Sequence, residues 1–107
     1  MSGFMYILEC SDGSYYTGST NDLERRFCEH QSGEGANYTK RKRPVRLVYF
    51  EECLRVEEAF FREKQVQGWS RSKKKALIDS REIELPFWSM NYSQFGVPWL
   101  RQSQPAP

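Results

Sequence analysis

Five polar side chains occupy positions that the hydrophobic pattern of the chain directs inward: Tyr6, Tyr16, Arg26, His30 and Glu63. Glu63 is the clearest case, because it stands in a helical stripe where the periodicity calls for an apolar residue. An inward carboxylate requires a cation, hydrogen-bond donors or a metal ion, since an unpaired buried charge is costly. The guanidinium of Arg26 likewise requires a charged or polar partner. Both residues are therefore candidates for a functional site.

Tyr6 and Tyr16 stand on two apolar runs that flank Asp12-Gly13, a pattern that predicts a β-hairpin. A two-residue turn would place the two tyrosines on opposite faces of the sheet. A three-residue loop over residues 11–13, with Gly13 in the left-handed region, shifts the register by one and places both on one face. We favour the second register because it makes a site, whereas the simpler interpretation is that both tyrosines are half-buried strand residues.

The helix that should follow the hairpin carries Arg26 and His30. Asn21 and Glu24 form a capping-box pattern, and the helix is expected to end at about Gln31. Arg26 and His30 share one stripe with the only large apolar residues of this helix, so both lie on or beside its buried face. For His30 the simpler interpretation is a hydrogen-bonded histidine at the edge of the core.

The middle of the chain supplies a loop and a third strand. Residues 33–43 contain glycines and then basic residues, which predicts a loop with Tyr38 set among cations. An aromatic ring in that setting stacks on a nucleobase or packs onto the domain. The apolar run 45–50, which follows Pro44, predicts a strand covered on at least one face.

Two further helices are predicted. The first runs from Val56 to about Gln67 and is stopped by Gly68, with a core stripe through Val56, Ala59, Phe60, Glu63 and Val66. The second is a short basic helix that Ser70 caps and that ends at about Asp79. Its contribution to the core is expected from Ala76, Leu77 and Ile78.

The net charge is only +2, but the cations are concentrated. The first basic block is Lys40, Arg41, Lys42, Arg43 and Arg46, and the second is Arg71, Lys73, Lys74 and Lys75. Such blocks favour a phosphate-rich partner, because each neutralised phosphate releases condensed counterions. The alternative interpretation is a solvated loop and a solvated helix face.

A chain of 107 residues is expected to form one domain with a modest core. No apolar run approaches the ~20 residues of a membrane helix, and no signal peptide is recognisable, so the expected location is the cytoplasm, without membrane contact. Cys10, Cys28 and Cys53 have neither disulfide nor zinc-site spacing and are interpreted as reduced thiols.

The composition changes after residue 80. The tail 81–107 holds four of the five prolines and several aromatic residues, namely Phe87, Trp88, Tyr92, Phe95 and Trp99. We expect a domain over residues 1–80 and a tail that packs in part on the domain, with a disordered end from Gln102. The aromatic residues also make this tail a candidate surface for a protein partner.

Taken in order, these motifs resemble the GIY-YIG nuclease superfamily. The first signature corresponds to Phe4-Met5-Tyr6 and the second to Tyr16-Thr17-Gly18. Arg26 follows the second signature at the family's spacing, His30 lies one turn further on, and Glu63 stands where the family has its helix glutamate. The resemblance covers about residues 3–79 and is closest to the small, single-domain bacterial branch.

The resemblance implies an α+β fold, in which helices pack on a small three-stranded antiparallel sheet, and a phosphodiesterase activity assisted by one divalent ion. Glu63 would bind Mg²⁺ or Mn²⁺, which prefer oxygen ligands. Arg26 would stabilise charge that builds up on the phosphate. Tyr6 or Tyr16 would deprotonate or orient the attacking water, and His30 would hold or relay the proton. A tyrosine in that role needs a cation or metal nearby to lower its pKa.

Two positions depart from the family pattern. Phe4 replaces the leading glycine of the first signature. Some family members also carry an asparagine about one helix after the glutamate, where this chain has Lys75, and its only later asparagine is Asn91.

The expected partner is nucleic acid, DNA in preference to RNA, and the expected process is DNA repair or processing. One alternative is a nucleic-acid-binding module that keeps the fold and the basic blocks but cleaves nothing. Another is a subunit that docks on a second protein through its tail. The inward Glu63 favours the enzyme, because a binding module gains nothing from an acid that repels phosphate.

Overall fold

The computed structural model describes residues 1–80, 85, 86, 88 and 89. Three antiparallel strands form one sheet in the order β2-β1-β3, and helices pack on it. The predicted α+β fold is therefore confirmed. The elements are β1 Gly3–Glu9, β2 Tyr15–Thr20, α1 Leu23–Ser32, α2 Asn37–Lys40, β3 Arg46–Cys53, α3 Val56–Gln67 and α4 Arg71–Asp79.

The β1–β2 hairpin has the three-residue loop. Gly13 adopts φ +84°, which glycine tolerates without a steric penalty, and its amide donates to the carbonyl of Cys10 at 2.9 Å. Tyr16 pairs with Leu8, which lies two residues along β1 from Tyr6. Because side chains alternate along a strand, both tyrosines face the same side of the sheet. The favoured register is confirmed.

The central strand β1 is buried on both faces and separates two clusters of core residues. The α1-side core consists of Tyr6, Leu8, Cys10, Leu23, Phe27, Val45 and Leu47. The α3-side core consists of Met5, Ile7, Tyr49 and Val66. The sheet thus has α1 on one face and α3 on the other, and β2 is left as an edge strand. All three cysteines are free thiols, of which Cys10 is buried.

The N-terminus of α1 differs from the prediction. The cap is Asp22, whose side chain accepts a hydrogen bond from the amide of Arg25 at 3.2 Å, so the predicted capping box at Asn21 is wrong. Aspartate caps one residue later because its carboxylate reaches the first free amides of the helix. The helix ends at Ser32 and is capped by Gly33, which adopts φ +90°.

The segment predicted to be a loop contains the helical turn α2. The amides of Thr39 and Lys40 both donate to the carbonyl of Ala36 at 3.1 Å. The side chain of Thr39 is fully buried, and this burial holds the turn against α1. Sequence patterning missed it because one helical turn is too short to show a period. The third strand is also longer than predicted and extends to Cys53.

Helices α3 and α4 have the predicted bounds, but two of their core positions are wrong. Ala59, Glu63 and Val66 are buried, whereas Phe60 is 49% exposed. Phe60 lies about 100° around the helix from the buried Ala59, where the sheet no longer covers it. On α4, Leu77 and Ile78 pack against the α3-side core, whereas Ala76 is exposed.

The tail is described at only a few residues. Leu85 and Trp88 pack against the α1-side core, where the ring of Trp88 lies 5.7 Å from that of Phe27. The other aromatic residues of the tail lie outside the described residues, so the division at residue 80 stays a prediction. Within the described part of the chain, no helix combines the length and the apolar character needed to cross a lipid bilayer.

Candidate active site

Tyr6 and His30 form the buried centre of the site. The phenolic oxygen of Tyr6, on β1, lies 2.8 Å from Nε2 of His30, on α1, and both side chains are fully buried. Gly18 lies opposite Tyr6 on β2. A Cβ on Gly18 would stand 2.5 Å from this phenolic oxygen, so the absence of a side chain at Gly18 makes the room that the tyrosine occupies.

Tyr16 lies beside this pair but reaches further out. Its ring is 6.4 Å from that of Tyr6 and 5.1 Å from the imidazole of His30. On its other side it meets Tyr38 of α2, with the ring centroids 5.9 Å apart. Tyr16 is only partly buried, so it links the buried centre of the site to the surface.

Arg26 lies at the edge of the same group. Its side chain is 30% exposed and pairs with Glu29, one turn further along α1, at 3.0 Å. The guanidinium also lies close enough to both tyrosines to act on the pKa of each hydroxyl. The partner that the sequence requires for an inward arginine is therefore Glu29 together with the tyrosine hydroxyls.

Glu63 reaches the site from the other face of the sheet. Its carboxylate is mostly buried, with 8% of the residue exposed, and it accepts a hydrogen bond from the hydroxyl of Ser19 at 2.6 Å. Ser19 follows Gly18 on β2, so its side chain points away from Tyr6. β2 is an edge strand, and across it the carboxylate is close enough to raise the pKa of both tyrosine hydroxyls.

Gln67 and Lys64 complete the surroundings of Glu63. The side-chain amide of Gln67 bridges the carboxylate of Glu63 and the backbone carbonyl of Thr17, to which it donates at 3.3 Å. The ammonium of Lys64 is further away, at 3.8 Å, and its side chain is exposed. The carboxylate is thus oriented mainly by two neutral donors, Ser19 and Gln67.

The pKa values show which groups carry protons. Burial raises the pKa of the Tyr6 hydroxyl well above its usual range, and the opposing effect of Arg26 is too small to cancel it. The pKa of Tyr16 is also raised, by burial first and by Glu63 in addition. Burial, together with the charge of Arg26, lowers the pKa of His30 to about 4. At neutral pH both phenols are protonated and the imidazole is neutral, so Arg26 alone does not provide the lowered tyrosine pKa that the sequence led us to require.

Some residues that shape this site were missed in the sequence. Thr39 lies 2.8 Å from Nδ1 of His30, and it escaped notice because its segment was interpreted as a loop. Gln67 could have been found, since it lies four residues after Glu63 and therefore on the same helix face. Ser19 could have been found only with the hairpin register fixed.

Three cations of the first basic block already form ion pairs or hydrogen bonds within the protein. Lys42 pairs with Asp12 at 3.2 Å and lies 3.9 Å above the ring of Tyr38. Arg46 pairs with Glu9, and both line a hollow of about 520 Å³ to which none of the five candidate residues contributes. Arg43 donates to backbone carbonyls of α1 and α2. Lys40 and Arg41 are exposed and have no ion pair among the described residues, which makes them the better candidates for phosphate contacts.

The second basic block lies on α4, close to the hairpin. Arg71 stacks on the ring of Tyr15 at 4.4 Å and donates to the carbonyl of Gly13. Lys73 lies 4.2 Å above the ring of Trp69. Two lysines complete the block: Lys75 pairs with Asp79 at 3.0 Å, whereas Lys74 has no ion pair in the described ranges.

Comparison with known proteins decides the family. Residues 2–76 match the family model of the GIY-YIG catalytic domain. The chain belongs to the GIY-YIG family. The resemblance inferred from the two signatures is confirmed.

Small relatives match over most of their own length. A UPF0213 protein of Bacillus pumilus is 45% identical over 76% of this chain and 83% of its own length. A UPF0213 protein of Halobacterium salinarum is 47% identical over 69% of this chain and 96% of its own length. The solution structure of a UPF0213 protein of Bacillus halodurans has 41% identity and a TM-score of 0.52, covering 86% of this chain and 96% of that protein.

The GIY-YIG fold also explains the departure at Phe4. The side chain of Phe4 is partly buried and packs on the α1-side core, with its ring 6.4 Å from that of Phe50. Its apolar ring packs on this core and has no hydrogen-bonding or titratable atom. The substitution therefore changes packing and removes no reactive group.

Proposed function

We propose that this GIY-YIG domain hydrolyses phosphodiester bonds in nucleic acid, DNA in preference to RNA, with one divalent ion bound at Glu63. The observation that carries the proposal is that four side chains lie around one edge strand. They are Tyr6 and His30, which are hydrogen-bonded to each other, Arg26, and Glu63 with its buried carboxylate. Family membership supports the same chemistry. A role in DNA repair or processing belongs to this proposal.

The surroundings of Glu63 fit a hard divalent ion. The carboxylate is oriented by Ser19 and Gln67, which are neutral and do not cancel its charge. Among the described residues no group of three or more His, Cys, Asp or Glu side chains could hold a metal. A single carboxylate suits Mg²⁺ or Mn²⁺, which keep several waters and take further oxygens from the substrate phosphate. When bound, the ion would polarise a phosphoryl oxygen and offset the charge of the reacting phosphate.

Arg26 supplies a fixed positive charge for the phosphate. It bonds Glu29 through one terminal nitrogen, which leaves further N–H donors of its planar fork to face the tyrosines and a phosphate oxygen. Charge stabilisation of this kind is usually the largest single contribution to catalysis of charge-developing reactions. We therefore assign to Arg26 the stabilisation of negative charge in the transition state.

Tyr6 and His30 form a path for the proton of the attacking water. The water O–H bond breaks, its proton passes to the oxygen of Tyr6, and the proton of Tyr6 passes to Nε2 of His30. The hydroxide attacks phosphorus, the bond from phosphorus to the leaving oxygen breaks, and the leaving oxygen takes a proton from solvent. The transfers are concerted, because an isolated phenolate at Tyr6 is disfavoured by the raised pKa. Tyr16, beside Arg26 and nearer the surface, orients the water or the phosphate.

The pure protein should cleave at least one of a panel of branched, flapped and single-stranded DNA and RNA substrates in Mg²⁺ or Mn²⁺. Addition of a chelator should stop the cleavage, and restoring the metal should restore it. Binding without cleavage of any substrate in either metal would contradict the proposal. That result would favour the second candidate, a nucleic-acid-binding module, which the exposed Tyr38, Lys40 and Arg41 also support. A protein partner for the tail stays a separate proposal.

A further inference from the structure

We propose that Thr39 is a positioning residue that fixes the tautomer of His30, so that Nε2 of the ring can take the proton of Tyr6. The catalytic consequence rests on the proposed function, whereas the tautomer itself does not. Three consecutive hydrogen bonds carry the inference. They link Tyr6 to His30 at 2.8 Å, His30 to Thr39 at 2.8 Å, and Thr39 to the carbonyl of Ala36 at 3.0 Å.

The direction of these bonds follows from counting hydrogens. The buried hydroxyl of Tyr6 has Nε2 of His30 as its hydrogen-bond partner, and its hydrogen needs an acceptor there. The carbonyl of Ala36 can only accept, and it takes the hydrogen of the Thr39 hydroxyl together with the amide hydrogens of Thr39 and Lys40. Toward His30 the same hydroxyl oxygen can then only accept, which places the ring hydrogen on Nδ1. A neutral imidazole has one N–H, so Nε2 is bare and the hydroxyl of Tyr6 donates to it.

The packing leaves this arrangement little freedom. His30 and Thr39 are fully buried and Tyr6 is only 1% exposed, so bulk water competes little for the hydrogen bonds that hold the imidazole. The backbone at Gly35 lies against the ring, where a Cβ would stand 2.4 Å from Nδ1 of His30. The ring is thus held between Tyr6 on one side and the segment that carries Gly35 and Thr39 on the other.

The tautomer decides what Tyr6 can do. With Nε2 bare, Tyr6 releases its hydrogen toward the ring while its oxygen receives the proton of a water molecule. With the hydrogen on Nε2, the ring would donate to Tyr6 and could accept nothing from it. Thr39 therefore acts on the reaction through His30, without touching the substrate.

The tautomer can be measured directly, because His30 is the only histidine of the chain. Protein labelled with ¹⁵N-histidine gives a single imidazole in long-range ¹H–¹⁵N correlation spectra, and at pH 7 that ring is neutral. We expect the spectrum of the wild-type protein to show the hydrogen on Nδ1. A spectrum with the hydrogen mainly on Nε2 would overturn the inference without any reference to activity.

Two variants connect the tautomer to the reaction. Thr39→Val keeps the shape but removes the acceptor for Nδ1–H, so we expect a mixed or reversed tautomer and a fall in kcat of about 10- to 100-fold, the range seen when a partner that orients an active group is lost. KM should stay unchanged. Thr39→Ser keeps the hydroxyl and should restore both the spectrum and kcat. A Thr39→Val protein with the wild-type tautomer and kcat would contradict the proposal.

Thr17→Val is the matched control. The hydroxyl of Thr17 is buried on the opposite face of the sheet and has no hydrogen-bond partner among the described residues. Its loss should change neither the tautomer nor kcat. If Thr39→Val does not fold, the wild-type spectrum and Thr39→Ser still decide the question. If the wild-type protein cleaves no substrate, the proposed function fails, while a hydrogen on Nδ1 still supports the assigned tautomer.

Discussion

Gly18 lies opposite Tyr6 in the sheet, and a Cβ on Gly18 would stand 2.5 Å from the phenolic oxygen. The substitution Gly18→Ala should therefore push the ring of Tyr6 away from His30 and lower kcat strongly. The overpacking should also destabilise the fold by about 1–3 kcal/mol. Cleavage assays well below the melting temperature, together with the imidazole NMR signal of His30, test both effects.

Gly3→Ala provides the control for that experiment. A Cβ on Gly3 would stand 2.5 Å from the backbone of Val56, so it makes an equally close contact where β1 meets α3. It should lower the melting temperature by a similar amount but leave kcat near the wild-type value while the protein is folded. Equal losses of kcat in both variants would mean that Gly18 serves only the fold.

Arg26→Lys tests the role of the planar fork. Lysine keeps the positive charge and can still pair with Glu29, but it cannot offer several directed N–H donors at once. We expect kcat to fall by about 10²- to 10³-fold, as when one transition-state donor is lost, with little change in nucleic-acid affinity. Arg62→Lys is the control, because Arg62 pairs with Glu51 at 3.0 Å and lies outside the site. A wild-type kcat in Arg26→Lys would contradict the proposal that Arg26 stabilises the transition state.

Much of the scaffold could be predicted because local patterns specify it. Gly13 predicted the hairpin, but a left-handed glycine suits a two-residue turn as well as the observed three-residue loop. The common face of Tyr6 and Tyr16 was therefore predicted from the site that it makes. The i, i+3, i+4 stripes placed His30 and Glu63 correctly on buried faces. The helical period was sufficient for these two residues.

What could not be predicted depends on contacts between distant segments. Thr39 meets His30 across a chain reversal, and Ser19 meets Glu63 across 44 residues. Periodicity carries no information on such pairs. It also assigned Phe60 to the core, because a stripe drawn on a helix does not show how far the sheet extends beneath it.

The pKa of His30 makes stability depend on pH. The folded pKa is about 4 and the unfolded value is near 6.5, so between these values the unfolded chain binds more protons. The free energy of unfolding should thus be highest above pH 6.5 and fall as the pH drops toward 4, by roughly 3 kcal/mol from this group. Urea unfolding at a series of pH values measures this free energy. In His30→Gln it should change less with pH between pH 4 and 6.5. A wild-type NMR titration of His30 with a midpoint near 6.5 would contradict the prediction.

The cations of the first basic block should contribute unequally to binding. Lys40 and Arg41 are exposed without ion pairs in the described residues, so the double variant Lys40→Ala/Arg41→Ala should lower affinity across sequences. The plot of log Kobs against log salt concentration should also become less steep by about 1.8, if each cation neutralises one phosphate of duplex DNA. The pair Lys42→Ala/Arg46→Ala should have a smaller effect, because both cations already pair with acids. Equal slopes in all three proteins would mean that this block is solvated charge.

Glu63→Gln separates a metal ligand from a structural acid. The structure gives Arg26 a different partner, Glu29, so neutralising Glu63 does not leave a buried guanidinium unpaired. The new side chain can keep both hydrogen bonds, because its oxygen can accept from Gln67 while its amide donates to a rotated Ser19 hydroxyl. The free energy of unfolding should therefore change by less than about 1.5 kcal/mol, the value of a typical hydrogen bond.

Cleavage should respond quite differently to Glu63→Gln. A neutral amide lacks the charge that holds a divalent ion, so metal-dependent cleavage should be lost and nucleic-acid affinity kept. A titration with Mn²⁺ that is monitored by electron paramagnetic resonance should show the loss of ion binding independently of activity. Glu57→Gln, an exposed acid on the same helix, should leave cleavage, ion binding and stability unchanged. Wild-type cleavage by Glu63→Gln would exclude the metal role, and a large drop in its melting temperature would assign Glu63 to the fold.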